Sequence, residues 1–416
     1  MQSLPLYNGH DANPLEAAPN PKPSAADKRG YGSLASLYTA FSTDFARYAL
    51  ELCSSEGHRT ILDPFAGMGT LGEAGRAMPI SLLLNDLNPF ASTSCAFRSA
   101  PKSEISAAIE RVSASALWKE TRTEFEAFDH AVRTRTGDAC TPAELLALTD
   151  DEESRSALLD VHLVSLIRIA THRRFQGSNP TWTKRSTNHE IDPATLETAR
   201  AAVLANAASY ASRLHELDDD FSAKVTCGDV AGLNLQDCSI DAIVTSPPYP
   251  NRTDYIRHYL PAAELLLGGD PEAERSLRQA QIGTPLIRQA LPNTRLPDSV
   301  EGLIQRVRTH GSYASERYYA KGLLYYFDDI SLTFARMQRW LKPGGLAIIV
   351  VQDAYYKEMR VPVADLLTDI AGTHGLVSES RKDFPVRHAL SRLSATARAS
   401  APVRAAVESV MMLRRQ

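Results

Sequence analysis

The order of apolar and polar positions along the chain predicts short buried strands that alternate with helices. Apolar residues at helical spacing predict the first helix, with a cap at Ser42 or Thr43; they are Phe41, Phe45, Tyr48, Ala49 and Leu52. An apolar run at 60–62 then leads into a glycine-containing turn at 63–70 and a helical stretch. A second apolar run, at 80–84, ends in polar residues at 85–89. Both runs predict strands whose C-terminal ends carry polar side chains, and in open α/β sheets this edge binds ligands.

A long stretch without strand signals separates these two strands from the rest of the predicted sheet. From about 101 to 223 the residues Ala, Leu, Glu and Arg dominate, which predicts a helical insertion. Strand signals return at 225–229 and 240–244. After an irregular, proline-containing region at about 267–313, we expect a helix over 318–341, a turn at 342–345, a buried strand over 346–351 and a final strand over 408–413. The whole pattern predicts an α/β fold with insertions.

Composition and charge narrow the classes of protein to which the chain can belong. The chain has 416 residues, of which 44% are hydrophobic, and no apolar run approaches the length of a membrane span. The N-terminus lacks the order of a signal peptide, so we expect a cytoplasmic protein with no membrane partner. Its five cysteines are far apart and form no CxxC pair, which predicts neither disulfides nor a metal site. The net charge of −4 means that any contact with nucleic acid must come from local basic patches.

The turn at 63–70 carries a carboxylate directly before its glycines. Glycines let the backbone approach a ligand closely, and the following helix presents free N–H groups. Asp63 would repel a pyrophosphate but attract a cationic sulfonium, so we expect S-adenosylmethionine (S-adenosyl-L-methionine) rather than NAD. Asp86 is then expected to accept hydrogen bonds from ribose hydroxyls, and Asp229 to border the adenine. The alternatives are an ordinary strand-to-helix connection and carboxylates that cap helices.

The segment Ser246-Pro247-Pro248-Tyr249 follows an apolar strand directly. Two prolines cannot continue a sheet ladder, so they predict a stiff loop, and an aromatic ring at its end can stack on a planar base. The Pro247 carbonyl and the Ser246 hydroxyl can together hold an exocyclic NH2 group, with its nitrogen lone pair aimed at the sulfonium methyl. A structural turn is the alternative.

These two motifs, DPFAGMGT and SPPY, resemble those of the DNA amino-methyltransferases, whose patterns are DPFxGxGT and [SDN]PP[YFW]. The segments TSPPYPNRTDY and LKPGG look like bacterial cytosine-N4 enzymes in particular, since SPP[YF] is commoner for cytosine N4 and [DN]PPY for adenine N6. The resemblance covers the sheet core, about half of the chain. It departs from the usual cytosine-N4 pattern in that the cofactor turn precedes the catalytic loop.

The resemblance implies a Rossmann-like class I S-adenosylmethionine-dependent methyltransferase fold with helical insertions, acting on duplex DNA with a flipped target base. A cognate restriction endonuclease is a candidate partner. The implied catalytic residues are Ser246, Pro247, Pro248 and Tyr249. The implied cofactor-binding residues are Asp63, Pro64, Phe65, Ala66, Gly67, Gly69, Thr70 and Asp86, to which the residue-level argument adds Asp229. No metal is expected.

On this basis the chain divides into six segments. We predict a flexible N-terminal tail at 1–30, a first part of the methyltransferase domain at 31–100, and a helical insertion at 101–223 as a candidate target-recognition region. The core with the catalytic loop is expected at 224–266, a loop-rich insertion at 267–317, and the second part of the methyltransferase domain at 318–416.

Substrate contacts are predicted in two places. The basic, aromatic stretch 172–185 contains Arg174, Trp182 and Lys184, which combine phosphate-seeking charge with a stacking surface; a solvated basic face is the alternative. Asn251, Arg252, Asp254 and Tyr255, just after the catalytic loop, are expected either to line the base pocket or to fix the loop.

Other reactions remain as alternatives to cytosine-N4 methylation. A carbon-5 cytosine enzyme needs a nucleophilic cysteine after proline, and because no Pro-Cys dipeptide occurs we exclude that class. Methylation of adenine N6 in DNA or of guanine N2 in RNA stays open. So does a catalytically silent nucleic-acid-binding protein that has kept the fold.

Overall fold

A seven-stranded sheet forms the centre of the chain within the part that the structure describes. The computed structural model describes residues 13–35, 40–114, 152–172, 193–251, 253–286, 288, 294–386 and 406–416. The strands are β1 (Thr60–Asp63), β2 (Ser81–Asp86), β3 (Ser222–Cys227), β4 (Ile240–Thr245), β5 (Leu341–Gln352), β6 (Ala354–Tyr356), β7 (Met359–Val361), β8 (Leu376–Pro385) and β9 (Val407–Arg415). The seven-stranded sheet has the order β3-β2-β1-β4-β5-β9-β8, and β6 and β7 form a separate hairpin.

The helices lie between these strands in the chain. Those described are α1 (Ala25–Arg29), α2 (Thr43–Ser55), α3 (Thr70–Gly75), α4 (Pro89–Ser99), α5 (Lys102–Ala114), α6 (Glu152–His172), α7 (Pro193–Arg213), α8 (Tyr255–His258), α9 (Leu260–Leu266), α10 (Pro271–Ala280), α11 (Asp298–Arg308), α12 (Lys321–Trp340) and α13 (Val363–Thr373). Short 3-10 turns occur at Tyr31–Ser33 and Val230–Gly232, and a π-helical turn at Ser315–Ala320 precedes α12. Of the predicted elements, α2 begins as expected, because the Ser42 side chain accepts a hydrogen bond from the Phe45 N–H.

The strand directions create a switch point between β1 and β4. Strands β3, β2, β1, β4 and β5 are mutually parallel, whereas β9 pairs antiparallel with both β5 and β8. The chain runs outward from β1 through β2 to β3 and then returns to β4 on the other side of β1. In open α/β sheets ligands bind at the carboxyl ends of the strands at such a point. The predicted α/β fold with a Rossmann-like, mainly parallel sheet is confirmed.

Both faces of the sheet are covered by helices, which explains the continuous apolar runs in its strands. On one face the strand side chains, such as Ile61 and Val244, share a core with α2, α4, α6 and α7. On the other face Ile243 and Ile349 pack against α11, α12 and α13. Helices α5 to α7, which belong to the predicted insertion at 101–223, thus contribute side chains to the main core.

Two stretches differ from the expectations. Residues 13–30 do not form a flexible tail: Leu15 is fully buried, Pro14 accepts a hydrogen bond from the Tyr48 hydroxyl, and α1 carries a capping box at Ser24. Their few apolar side chains are covered by the folded core, a contact that local sequence cannot reveal. The expected turn at 342–345 lies inside β5, where the pairing register with β4 shifts and Gly344 has a φ of 75°.

No described helix has the length and apolar character that a membrane span would need. Within the same described ranges, no three His, Cys, Asp or Glu side chains cluster in a way that could hold a metal ion.

Candidate active site

The two predicted motifs meet at the carboxyl ends of neighbouring parallel strands. Ile61 and Leu62 of β1 pair with Ala242 and Ile243 of β4, so both strands end at the same edge of the sheet. At that edge the Thr245 hydroxyl donates a hydrogen bond of 2.6 Å to Asp63 Oδ1. The glycine turn and the proline loop therefore begin side by side.

The turn after β1 depends on two glycines with left-handed backbone. Gly67 has a φ of 52° and Gly69 a φ of 77°, a region in which residues with a Cβ are strained. A Cβ on Gly69 would also lie 2.7 Å from the Cα of Cys95 in α4. The Ala66 N–H donates to the Asn85 carbonyl and the Gly67 N–H to Asp86 Oδ2. Together these contacts attach the turn to the end of β2.

The other residues predicted to bind the cofactor lie along the same turn. Pro64, Ala66 and Thr70 are buried, whereas Phe65 is half-buried. Thr70 is the first residue of α3. Asp229, at the end of β3, is exposed, and its Oδ1 accepts a hydrogen bond from the Ala231 N–H, as a helix cap does. The structure thus brings all of these residues to one edge of the sheet, with Asp229 at its margin.

Asp63 and Asp86 carry acidic groups whose pKa values are raised. Burial raises the pKa of Asp63 to about 7, opposed by the hydrogen bonds from Thr245 and from the Phe65 N–H. Burial also raises the pKa of Asp86 to about 6, opposed by the Asn88 and Gly67 N–H groups. Neither carboxyl group has a cationic partner among the contacts of the described residues. Two desolvated carboxylates beside a glycine turn can attract a cationic ligand and accept hydrogen bonds from its hydroxyl groups.

The proline loop is held by contacts on either side. The Ser246 hydroxyl donates to the Val350 carbonyl of β5 at 3.0 Å and lies 3.4 Å from the Tyr249 hydroxyl. The Tyr249 hydroxyl in turn lies 3.5 Å from Glu408 Oε1 at the start of β9. Pro247 is buried and Pro248 half-buried. Three strands of the sheet therefore fix the loop, directly or through their side chains.

The described residues just after the loop make contacts that support it. The Tyr255 hydroxyl accepts a hydrogen bond from the Tyr249 N–H. Asp254, which is 2% exposed, caps α8 and forms an ion pair of 2.7 Å with Arg278. Asn251 is exposed, and its side chain accepts hydrogen bonds from the N–H and hydroxyl of Thr253. Of the two roles expected for this segment, these contacts favour fixing the loop.

Four predicted substrate residues, Arg252, Arg174, Trp182 and Lys184, lie outside the described residues. His172, at the head of the basic stretch to which the last three belong, is buried, and its Nδ1 lies 2.9 Å from the Arg168 carbonyl.

The chain is similar to a type II methyltransferase. This protein, Type II methyltransferase M.BsoBI of Geobacillus stearothermophilus, is 27% identical over 391 residues, an alignment that covers 80% of this chain and 75% of the relative. A solved structure from Galdieria sulphuraria, described as a sarcosine dimethylglycine methyltransferase, covers 92% of this chain at 10% identity with a TM-score of 0.33. A likeness at that score carries no weight for the fold. No family model matches the chain.

Three residues that the sequence did not single out belong to the site. Thr245 links the two loops, and Asn85 donates to the Pro64 carbonyl beneath the turn. Glu408 is 6% exposed and reaches the Tyr249 hydroxyl. A signal for Glu408 was present, since it is the single carboxylate of β9 and lies near the start of that strand, but only tertiary structure shows what this end of the strand faces.

A buried ion pair lies beneath the glycine turn. Arg98 of α4 contacts Glu73 of α3 at 2.6 Å and donates to the Met68 carbonyl at 2.8 Å. The Tyr210 hydroxyl of α7 also donates to Glu73. Arg98 stacks on the ring of Tyr31 at 4.6 Å. The N-terminal segment and the helices of the insertion are therefore connected to the turn through polar contacts.

Proposed function

We propose that this chain is an S-adenosylmethionine-dependent DNA methyltransferase that modifies an exocyclic base amine, cytosine N4 in the first instance, by direct transfer to a flipped base. The observation that carries the proposal is the hydrogen bond between Asp63 and Thr245, because it places the glycine turn beside the Ser246–Tyr249 loop. The similarity to a protein named as a type II methyltransferase supports the same activity.

The residues around the turn fit S-adenosylmethionine by their chemistry. When bound, this cofactor supplies the methyl group on a cationic sulfonium. Asp63 and Asp86 offer carboxylates for a cation and for ribose hydroxyls, and Gly67 and Gly69 allow the backbone to approach closely. Asp229, at the margin of the site, is expected to border the adenine. The raised pKa values of the two buried carboxyls fit groups that become fully ionised once a cation is close.

The proline loop supplies the contacts for the base. Pro247 offers a carbonyl and Ser246 a hydroxyl to the exocyclic amine, and these fix the direction of its nitrogen lone pair. Tyr249 offers a ring for stacking, which is worth about 1–3 kcal/mol per base. An in-line displacement at a methyl carbon needs positioning more than acid–base catalysis, so a loop stiffened by two prolines suits the reaction. The serine at the first loop position, as in cytosine-N4 enzymes by resemblance, supports cytosine over adenine.

The test is methylation of nucleic acid by the full-length chain. The purified protein is incubated with labelled S-adenosylmethionine and unmodified bacterial DNA or total bacterial RNA, and the nucleosides are separated by mass spectrometry. We expect label in N4-methylcytosine from DNA. Label in N6-methyladenine would change the assigned target base from cytosine to adenine. Label in N2-methylguanine from RNA alone would change the assigned substrate from DNA to RNA.

A parallel binding measurement distinguishes an enzyme from a silent relative. We expect saturable binding of S-adenosylmethionine by calorimetry, abolished by Asp86→Ala. A wild-type chain that binds no S-adenosylmethionine and labels neither nucleic acid would contradict the proposal and favour a protein that only binds nucleic acid. Residence in the cytoplasm and a cognate restriction endonuclease stay predictions.

A further inference from the structure

A basic surface lies at the same edge of the sheet as the candidate active site. Between Gln305 and Lys321 the chain carries one acidic residue, Glu316, against four arginines and lysines. These four, Arg306, Arg308, Arg317 and Lys321, are all exposed, as is Lys357 at the tip of the β6–β7 hairpin. Glu358 at the same tip is also exposed, and it is paired with His310. None of the five forms a salt bridge with a described residue. In a chain of net charge −4, this concentration of unpaired cations is local.

We call this region the 306–321 surface, and it includes the tip of the hairpin at Lys357. The topology of the fold determines its position. Helix α12 ends at Trp340 and leads directly into β5, so its first residue, Lys321, lies at the opposite end of a helix of about 30 Å. That end is the carboxyl edge of the parallel strands, where the hairpin β6–β7 also follows β5.

Direct contacts connect the 306–321 surface to the catalytic loop. A Cβ built on Gly283 would lie 3.2 Å from the Tyr249 carbonyl and 3.5 Å from the ring of Tyr326. Two residues further along, the Pro285 carbonyl accepts a hydrogen bond of 2.9 Å from the Tyr318 hydroxyl in the π-helical turn. Residues 283–285 therefore contact both the loop after β4 and the 306–321 surface.

Tyr313 projects from the middle of this surface. Its side chain is 97% exposed, whereas the next most exposed large apolar residue among those described, Leu332, is 43% exposed. The loop that carries it is ordered by hydrogen bonds: the buried Tyr356 hydroxyl contacts Ser315 at 2.8 Å, and His310 contacts Glu358 of the hairpin at 2.9 Å. Such contacts present the ring on a fixed support, at an entropic cost lower than a mobile loop would require.

We infer that the 306–321 surface is the docking surface for the duplex: its arginines and lysines contact the phosphate backbone, and Tyr313 stacks against bases at the step from which the target base is displaced. The inference rests on the proposed function, because it takes duplex DNA to be the substrate. Charge complementarity identifies the occupant, since exposed arginines and lysines bind phosphates, and an exposed aromatic ring among them has the composition of a surface that stacks on bases. The candidate residues within 172–185 are thereby not needed to supply all of the charge.

The charge is tested by the salt dependence of DNA binding. The variant Arg306→Ala/Arg308→Ala/Arg317→Ala is compared with the wild-type chain and with Arg339→Ala, which removes a charge at the far end of α12 where Arg339 pairs with Asp237. Binding of a fluorescein-labelled duplex is followed by fluorescence anisotropy at salt concentrations from about 50 to about 300 mM. We expect the triple variant to bind at least tenfold more weakly, with a slope of log K against log salt lower by about 2 to 3. Wild-type affinity and slope in the triple variant would overturn the docking surface.

The ring is tested separately by Tyr313→Ala and Tyr313→Phe. Replacement by Ala is expected to raise the DNA concentration for half-maximal single-turnover methylation roughly tenfold, while Phe retains the wild-type value because it keeps the ring. Binding of S-adenosylmethionine and the thermal midpoint should stay unchanged in both, because Tyr313 is exposed. Equal kinetics of the Ala variant and the wild type would overturn the stacking role.

The two proposals fail in different ways. A wild-type chain that methylates DNA, with a triple variant that behaves identically, refutes the docking surface and leaves the proposed function intact. A wild-type chain that binds duplex through these arginines but transfers no methyl group refutes the proposed function alone. Preference for single-stranded RNA over duplex DNA in competition would overturn the inference as stated.

Discussion

The carboxyl group of Asp63 and the hydroxyl of Thr245 are joined by a buried hydrogen bond of 2.6 Å between the ends of β1 and β4. This contact holds the first residue of the glycine turn against the last residue before the proline loop. Thr245 is fully buried, so the hydrogen bond is shielded from water. Water cannot replace either of its two partners. This polar pair, together with the parallel pairing of β1 with β4, sets the separation between the glycine turn and the proline loop.

Binding of S-adenosylmethionine should strengthen as the pH rises from about 5.5 to 8. The pKa values of Asp63 and Asp86 are raised to about 7 and about 6, so both carboxyls are partly protonated in the lower half of this range. A cationic ligand favours the ionised forms, so binding should release protons below about pH 7. Calorimetry in buffers of different ionisation enthalpy measures this release, and Asp86→Asn should reduce it. An affinity that does not change with pH would contradict the assignment of these groups to the cofactor.

In the unliganded protein, Asp63 and Asp86 should contribute the opposite pH trend to stability. Because the folded-state pKa values of both groups lie above the unfolded value, the folded state binds protons more tightly than the unfolded state between about pH 4 and 7. Their contribution to the free energy of unfolding is therefore largest at the acidic end and is lost as the pH rises through the folded pKa values. Denaturation of Asp63→Asn, compared with the wild type at pH 5 and pH 8, checks the sign.

Replacing Gly69 by Ala should destabilise the protein by about 2 kcal/mol or more and abolish binding of S-adenosylmethionine. The backbone at Gly69 has a φ of 77°, and the added Cβ would lie 2.7 Å from the Cα of Cys95, a backbone atom that cannot move alone. The matched control is Gly232→Ala, where φ is not in the left-handed region and nothing lies within 4 Å of the new Cβ. Equal denaturation midpoints for the two variants would refute the strain argument.

Replacing Tyr249 by Ala should slow single-turnover methyl transfer by roughly 10- to 100-fold, because the ring that stacks on the base is removed. Replacing it by Phe keeps the ring and loses only the long contacts of the hydroxyl, 3.4 Å to Ser246 and 3.5 Å to Glu408, so a smaller loss is expected. Affinity for S-adenosylmethionine should stay within about twofold of the wild type in both variants, since their substitutions leave the turn at 63–70 unchanged. Equal losses of transfer rate and cofactor affinity in the Ala variant would count against stacking.

Replacing Arg98 by Met should cost about 3 kcal/mol of unfolding free energy, because the half-buried carboxylate of Glu73 loses its cationic partner and keeps only the neutral Tyr210 hydroxyl as a donor. The Met68 carbonyl also loses one of its donors. Denaturant titration measures the loss. Arg200→Met is the matched control: its ion pair with Glu197 lies at the surface and is worth under about 1 kcal/mol. If both variants unfold at the same denaturant concentration, the pair beneath the turn is not the support that its geometry indicates.

Much of the site could be predicted from local sequence because its parts are local. The turn at 63–70 and the loop at 246–249 each consist of consecutive residues after an apolar strand, and glycine and proline impose their conformations without help from the rest of the chain. Parallel strands then bring the two motifs to one edge, as any sheet of this kind would. For the same reason the α/β class followed from the apolar runs alone.

The tertiary structure decided what depends on contacts between distant segments. Leu15 and Ala18 pack in the core although the composition of their segment is that of a tail, and Glu408 reaches Tyr249 across a sequence separation of 159 residues. The position of the exposed Tyr313 beside the catalytic edge likewise depends on the run of α12 across the sheet. The sequence therefore determined the helices and strands and the chemistry that each carries. Burial and the raised pKa values arise only when remote side chains pack together and exclude water. The position of the basic surface at the catalytic edge arises only from the course of the chain through the fold.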